Sequence, residues 1–157
     1  MFSILIPGTV TIYIPNYVLE QEQIIDLGLW SNFGLVFIIL GFFMYISTIL
    51  SFMLKGKGTP SIWFSKFLKF LIGEEPIHLV STGLYKYSRN PMYLGVLLII
   101  YGQGIYFEIL TILEYAIFMS IFFHLIVLFV EEPHLKKKFG ESYIVYLKSA
   151  PRWFSIN

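Results

Sequence analysis

The sequence predicts an all-α integral membrane protein with about four transmembrane helices, organised as one membrane-embedded domain over residues 1–157. Of these residues 57% are hydrophobic, 19% aromatic and only 13% charged, which is far from the balance of a soluble domain. The stretch 28–54 contains no charged residue, and about 20 such residues in a helix cross a bilayer. Cysteine is absent, which excludes disulfides and a cysteine nucleophile.

The first half of the chain is expected to contain two spans. Residues 2–18 form the first, although Pro7, Gly8 and Pro15 make it short and kinked and leave open whether it crosses completely. This segment lacks the basic start and the cleavage pattern of a removable signal peptide. Residues 28–54 form the clearest span of the chain.

The second half contains an apolar run that is too long for one span. It is interrupted by Glu108 and carries two further polar residues, Glu114 and His124. Two spans of about 92–107 and 109–130, joined near Glu108, account for it. The sequence therefore predicts a helical hairpin.

The charged residues predict how the spans are oriented. Lysine and arginine near span ends mark the cytoplasmic face, and all 11 of them lie in the loop after the second span or in the C-terminal tail. The opposite side is expected to carry acidic residues, namely Glu20, Glu22, Asp26 and Glu108. Both termini and any site built from the polar segments are therefore expected at the cytoplasmic face.

Two other segments have the amphipathic spacing of helices. In residues 61–72, aromatic residues and leucines share one side with lysines opposite, as in a helix that lies in the membrane interface. The tail, within 131–153, also shows apolar residues at helical spacing and is expected to fold back over the cytoplasmic ends of the spans. Surface anchoring alone is an alternative explanation for both segments.

A group of polar residues precedes the third span in the stretch TGLYKYSRNPMYLG, residues 82–95. By itself, Arg89 could extend its charge to the interface and Pro91 could begin a helix. The second arm of a hairpin, however, ends beside the start of the first, so Glu131 and Glu132 are expected next to Arg89. The expected aromatic neighbours are Tyr85, Tyr93 and the tyrosines of the tail. A zwitterionic or cationic ligand with an aromatic part would find matching groups there.

Two blocks of sequence, LVSTGLYKYSRNPMYLG and EEPHLKKKFGESYIVYLKSAPRW, flank the predicted hairpin. Together they resemble the integral-membrane methyltransferases of the isoprenylcysteine carboxyl methyltransferase and phospholipid methyltransferase superfamily, over residues 79–153. The resemblance implies S-adenosylmethionine as methyl donor, S-adenosylhomocysteine as product and a lipophilic acceptor that enters from the bilayer. It also implies that the cofactor is held between the segments 77–95 and 131–153.

Taken residue by residue, the resemblance assigns cofactor contacts to positions in both segments. They are Ile77, His78, Leu79, Val80, Tyr85, Asn90, Pro91, Met92, Tyr93 and Glu131. The family usually has histidine at the position of Ile77, which weakens that role for His78. The isoprenylcysteine enzymes have an arginine where this chain has Val127, while NPMY and EEP resemble the lipid branch. A phospholipid amine or another small lipophilic acceptor is therefore favoured over a prenylated cysteine.

The expected chemistry is an in-line displacement at a sulfonium, in which the protein orients the reactants and excludes water. The residues expected to act on the reactants are Arg89, Glu132 and His134. Arg89 would bind the carboxylate of the cofactor or a lipid phosphate, and Glu131 the ammonium or ribose of the cofactor. An amine acceptor has to lose a proton, which Glu132, His134 or a tyrosine could take.

Three alternatives to this function stay open: isoprenylcysteine carboxyl O-methylation, an NADPH-dependent reductase of the sterol type, and a non-enzymatic membrane protein. The sterol reductases share a similar pair of C-terminal blocks but have much longer chains. Glu-x-x-His spacing occurs at Glu75 and at Glu131, but a di-iron site needs further carboxylates, so no metal is predicted. The expected partners are the bilayer and a lipid or lipophilic substrate. Neither nucleic acid nor an obligatory protein partner is indicated.

Overall fold

The computed structural model describes residues 9–13, 15, 24–51, 79 and 81–154. Within these residues the regular structure is helical, and the one extended feature is an isolated antiparallel bridge between Ile24 and Ile109. The all-α prediction is confirmed for this part of the chain. The predicted interfacial helix 61–72 and most of the predicted span 2–18 lie outside the described residues.

The helices follow the hydrophobic segments of the sequence. The α-helices of the described part are α1 (Asn32–Ser51), α2 (Pro91–Tyr106), α3 (Leu110–Ile126), α4 (Glu132–Phe139) and α5 (Glu141–Ser149). A 3-10 turn, Gly28–Ser31, leads into α1, and another, Gly83–Lys86, precedes α2. A π-helical segment, Val127–Glu131, joins α3 to α4. The predicted hairpin is present as α2 and α3.

Two helical units are long and apolar enough to cross a membrane, Gly28–Ser51 and Leu110–Phe139. Helix α2 is apolar but shorter. In the second unit two glutamates and three lysines follow Val130, and charged groups of this kind are costly in hydrocarbon. The part of this unit that is apolar enough to lie in a membrane is therefore residues 110–130, and α4 follows it.

Helices α1 and α2 pack so closely that their backbones touch. A Cβ atom added at Gly34 would lie 2.5 Å from the carbonyl oxygen of Gly102, and one added at Gly41 would lie 2.6 Å from that of Gly95. The two glycine pairs are spaced by seven residues on each helix, which keeps them on one face. Small residues are what allow helices in lipid to approach this closely.

Glu108 builds the turn between α2 and α3, at the end of the hairpin away from Arg89. It has a positive φ of 60°, which is unusual for a residue with a side chain. Its carbonyl oxygen accepts a hydrogen bond from the amide of Ile25 at 2.7 Å, and its carboxylate accepts one from the amide of Leu27 at 3.1 Å. The turn near Glu108 is therefore confirmed, and it also holds the segment that leads into α1.

A short π-helical turn, Thr9–Tyr13, lies against the hairpin. The side-chain amide of Gln103 donates a hydrogen bond to the carbonyl oxygen of Thr11 at 2.8 Å. The hydroxyl of Tyr115 lies 3.4 Å from the carbonyl oxygen of Val10, to which it donates. This part of the predicted first span is thus helical and bound to α2 and α3.

The core lies between α2 and α3. Its buried members are Val96, Leu97, Ile100, Ile109, Ile112, Ala116, Met119 and Phe123. Many large apolar side chains of α1 and α3 remain exposed, among them Phe43 at 67% and Phe118 at 63%. In a bilayer such side chains contact lipid tails, which are as apolar as they are.

Candidate functional site

The start of α2 and the end of α3 meet at what we call the hairpin mouth, defined by Arg89, Tyr93, Glu131 and Glu132. Nη1 of Arg89 lies 3.1 Å from Oε1 of Glu132, and the two side chains are only 11% and 8% exposed. The predicted proximity of Arg89 to the paired glutamates is therefore confirmed for Glu132. The roles assigned to these residues stay predictions.

The π-helical segment Val127–Glu131 sets the directions of the two glutamates. A π turn holds more residues than an α turn, so it rotates the side chains that follow it around the helix axis. Glu131 and Glu132 are both buried, at 8% and 6% exposure. Glu131 reaches Tyr93 on α2, whereas Glu132 reaches Arg89 and the C-terminal tail. π-Helical turns of this kind occur frequently at functional sites.

Tyr93 links the first turn of α2 to Glu131. Its hydroxyl donates a hydrogen bond of 2.5 Å to Oε1 of Glu131. Its ring packs against that of Phe123, with the centroids 4.7 Å apart. A buried carboxylate is costly unless it is hydrogen-bonded, so Tyr93 both orients Glu131 and lowers the cost of burying it.

Glu132 is the centre of an ion-pair cluster. Nε of Arg152 donates to Oε1 of Glu132 at 2.7 Å, and Nη2 of Arg152 donates to Oε2 at 3.1 Å. Burial acts to raise the pKa of the Glu132 carboxyl, but the hydrogen bond from Arg152 and the charges of Arg89 and Arg152 outweigh it and lower this pKa overall. Glu132 is thus held as a carboxylate between two guanidinium groups.

The tail residues Pro151, Arg152 and Trp153, which we call the C-terminal strap, cross the mouth. The amide of Arg89 donates to the carbonyl oxygen of Pro151 at 2.9 Å, and the side-chain amide of Asn90 donates to that of Arg152 at 2.9 Å. The expectation that the tail folds back is confirmed. The sequence reasoning did not single out the strap, although the final PRW of the second sequence block was the available signal.

A cluster of buried tyrosines supports the mouth from the tail side. The hydroxyl of Tyr146 donates a 2.7 Å hydrogen bond to the carbonyl oxygen of Tyr85, and Tyr143 lies within hydrogen-bonding reach of Arg89. Burial raises the pKa of Tyr85 and that of Tyr146, so both hydroxyls stay protonated at neutral pH. Tyr85 is therefore near the mouth as predicted, but its hydroxyl is buried.

Four further residues predicted for the site lie in the described part of the chain, and three lie outside it. Pro91 is the first residue of α2 and is buried, followed by the half-buried Met92. Leu79 packs against the tyrosine cluster. His134 is half-buried in the first turn of α4, two residues after Glu132. The predicted contacts at Ile77, His78 and Val80 lie outside the described residues.

Arg89 retains hydrogen-bonding capacity. Its Nε atom is buried and has no hydrogen-bond partner in the part of the chain that the structure describes. Its Nη1 atom makes the ion pair with Glu132 without the alignment of a hydrogen bond. Buried donors of this kind are nearly always satisfied, so the arginine is suited to an anionic ligand group at the mouth.

These features define a helical protein whose apolar helices carry a buried, charged site at one end of a hairpin. A family model described as phospholipid methyltransferase matches residues 29–142. Because this is well over half of the chain, the protein belongs to the phospholipid methyltransferase family. No curated protein and no solved structure gives a significant match. Family membership implies methyltransferase activity and, with the apolar helices, a membrane protein.

Proposed function

We propose that the protein transfers a methyl group from S-adenosylmethionine to a lipophilic, membrane-borne acceptor, favouring a phospholipid amine. The observation that supports this most is the hairpin mouth, where Arg89, Glu131 and Glu132 come together beside apolar helices. The site thus combines charged groups for a polar donor with access from lipid. Family membership supports the same reaction class.

The residues of the mouth fit the charged groups of S-adenosylmethionine. Nε of Arg89, which has no hydrogen-bond partner among the described residues, can donate to the cofactor's carboxylate or to a lipid phosphate. Glu131 can accept from the cofactor's ammonium or ribose, held in place by Tyr93. When bound, S-adenosylmethionine would supply an electrophilic methyl group on a positively charged sulfur. The remaining proposed contacts in the described part are Leu79, Tyr85, Asn90, Pro91 and Met92.

The proton lost by an amine acceptor needs a recipient in the site. Glu132 is poorly suited to this role, because two arginines stabilise its charge and lower its pKa. We propose instead that Glu132 positions Arg89 and the strap. His134, two residues further along α4, or a tyrosine is then left to take the proton, directly or through water.

The environment of Val127 supports an amine rather than a carboxylate acceptor. Isoprenylcysteine carboxyl methyltransferases have an arginine at this position. Here Val127 is 1% exposed and packed inside the helix bundle at the start of the π-helical segment. Val127 offers no positive charge to bind a carboxylate acceptor, whereas an amine acceptor does not need one.

We further propose that the protein crosses the membrane several times and that the hairpin mouth faces the cytoplasm. Exposed lysines of α4 and α5, Lys136, Lys137, Lys138 and Lys148, surround the mouth end, in accord with the positive-inside rule. The turn at Glu108 and the exposed Trp30 and Tyr106 lie at the other end, where interfacial aromatic residues are common.

The proposed function is tested by binding and by product analysis. S-adenosylmethionine and NADPH are titrated separately into the detergent-purified protein by calorimetry, and we expect saturable binding of S-adenosylmethionine alone. Binding of NADPH alone would indicate a reductase, and binding of neither by folded protein would indicate a non-enzymatic role.

The acceptor is then tested with S-adenosylmethionine labelled in its methyl group. Vesicles of phosphatidylethanolamine are compared with vesicles of phosphatidylglycerol and with a farnesylated cysteine. We expect label on the ethanolamine lipid alone. Base-labile label on the cysteine compound would instead indicate carboxyl methylation, and no transfer to any of the three despite binding would reject a phospholipid amine.

A further inference from the structure

A hydrogen bond within the bundle anchors the C-terminal strap to α3. Nε1 of Trp153 lies 2.9 Å from Nδ1 of His124, and the two rings stack with their centroids 5.9 Å apart. Because an indole N–H can only donate, Nδ1 of His124 is the acceptor in this bond. Trp153 also packs against the core between α2 and α3. One tail side chain thus reaches the last turn of α3.

The main chain next to Trp153 holds two residues of the mouth. The carbonyl oxygen of Arg152 accepts from the side chain of Asn90, and that of Pro151 accepts from the backbone amide of Arg89. Arg89 and Asn90 directly precede α2. The position of the strap therefore determines the hydrogen bonds that hold the entry into α2.

We propose that His124 and Trp153 are positioning residues: their hydrogen bond fixes the strap, and the strap in turn fixes Arg89 and Asn90 for cofactor binding. The consequence for the cofactor rests on the proposed function, whereas the anchoring of the strap does not. Trp153 lies beyond residues 29–142, which the family model matches. It falls at the end of the predicted cofactor-binding segment 131–153, but neither Trp153 nor His124 is among the individual residues predicted for the site.

The strap is also attached through Arg152, and the effect of that attachment has to be distinguished from the effect of the hydrogen bond between Trp153 and His124. Arg152 binds Glu132 through two hydrogen bonds, and its side chain is 31% exposed. If this ion pair alone held the strap, loss of the indole N–H would leave Arg89 unaffected. The substitution Trp153→Phe distinguishes the two cases, because it keeps an aromatic ring and the Arg152 contacts but removes the donor.

The first measurement is hydrogen–deuterium exchange at the amide of Arg89, made without any ligand. We expect exchange in Trp153→Phe to be about fivefold faster than in the unmodified protein, since loss of one hydrogen bond changes an opening equilibrium by roughly that factor. The matched control is Phe154→Leu, because Phe154 is the next residue and is 60% exposed. This substitution should not change the exchange rate of the Arg89 amide. An unchanged Arg89 amide in Trp153→Phe overturns the proposal.

The second measurement is the affinity for S-adenosylmethionine by calorimetry. We expect the Kd to rise about three- to tenfold in Trp153→Phe and in His124→Leu. His124→Asn, whose carbonyl oxygen can still accept from the indole, should retain more of the affinity. Faster exchange with an unchanged Kd would limit the pair to anchoring and reject the positioning role. If the unmodified protein does not bind S-adenosylmethionine, the proposed function and the positioning role both fail, and the exchange rates alone decide the anchoring.

Discussion

The hydroxyl of Tyr93 donates a 2.5 Å hydrogen bond to Oε1 of Glu131, and this bond joins the first turn of α2 to the end of the π-helical segment. It connects the two sequence blocks that flank the hairpin. Glu131 is 8% exposed, so its carboxylate depends on protein donors rather than on water. The π-helical segment turns Glu131 toward α2, and the hydrogen bond from Tyr93 then holds it in that direction.

Removal of the Tyr93 hydroxyl is expected to weaken cofactor binding. Tyr93→Phe keeps the ring against Phe123 but leaves Oε1 of Glu131 without this donor, a change that costs about 1–3 kcal/mol in buried sites. We expect the Kd for S-adenosylmethionine to rise about five- to hundredfold, as measured by calorimetry. Tyr101→Phe, which loses a contact with Ser120 away from the mouth, is the control. Equal affinity in both variants would contradict an orienting role for Tyr93.

Neutralising Glu132 is expected to destabilise the protein. Glu132→Gln keeps the shape but leaves two guanidinium groups without their shared carboxylate. Breaking a buried ion pair costs about 3–5 kcal/mol, and the partial exposure of Arg152 reduces this to about 2–4 kcal/mol of unfolding free energy. The loss of unfolding free energy is measured by denaturant titration of both proteins in detergent. Glu141→Gln, at an exposed glutamate of α5, should cost less than about 1 kcal/mol, and a similar loss there would point to a general charge effect.

The contribution of Glu132 is also expected to depend on pH. Because the folded protein lowers the pKa of Glu132 from its usual 4.5, the stabilisation is fully present above the unfolded pKa and is lost as pH falls through the folded one. The unfolding temperatures of the unmodified protein and of Glu132→Gln should therefore differ by a constant amount above about pH 5. The difference should shrink steadily as the pH falls from there through the lowered pKa of the folded protein. Other carboxyl groups titrate in both proteins and largely cancel in the difference. A difference in unfolding temperature that stays the same size from about pH 5 down to about pH 3 would argue against Glu132 as the source.

The meeting of Arg89 with Glu131 and Glu132 was predictable, because hairpin geometry brings the start of one arm to the end of the other. Which glutamate faces Tyr93 and which faces Arg89 was not predictable. This assignment depends on the π-helical segment, whose residues Val127 to Val130 are all apolar and give no periodic signal of the change in helix type. The strap was missed for another reason: Arg152 and Trp153 have the composition of an ordinary membrane-interface tail, and two of the strap's contacts use backbone carbonyls, which carry no sequence signal.

The close packing of α1 on α2 is expected to be essential for stability. In Gly41→Ala the new Cβ would lie 2.6 Å from the carbonyl oxygen of Gly95, so the two backbones must move apart. Helix propensity alone would make alanine about 1 kcal/mol more stable than glycine at this position. A net loss of unfolding free energy in Gly41→Ala can therefore be attributed to packing. We expect a loss of about 1–3 kcal/mol, seen as an unfolding temperature in detergent that is lower by several degrees. Leu40→Ala, at an exposed position of the same helix, should lower it far less. A Gly41→Ala variant as stable as the unmodified protein would show that α1 and α2 can separate without cost.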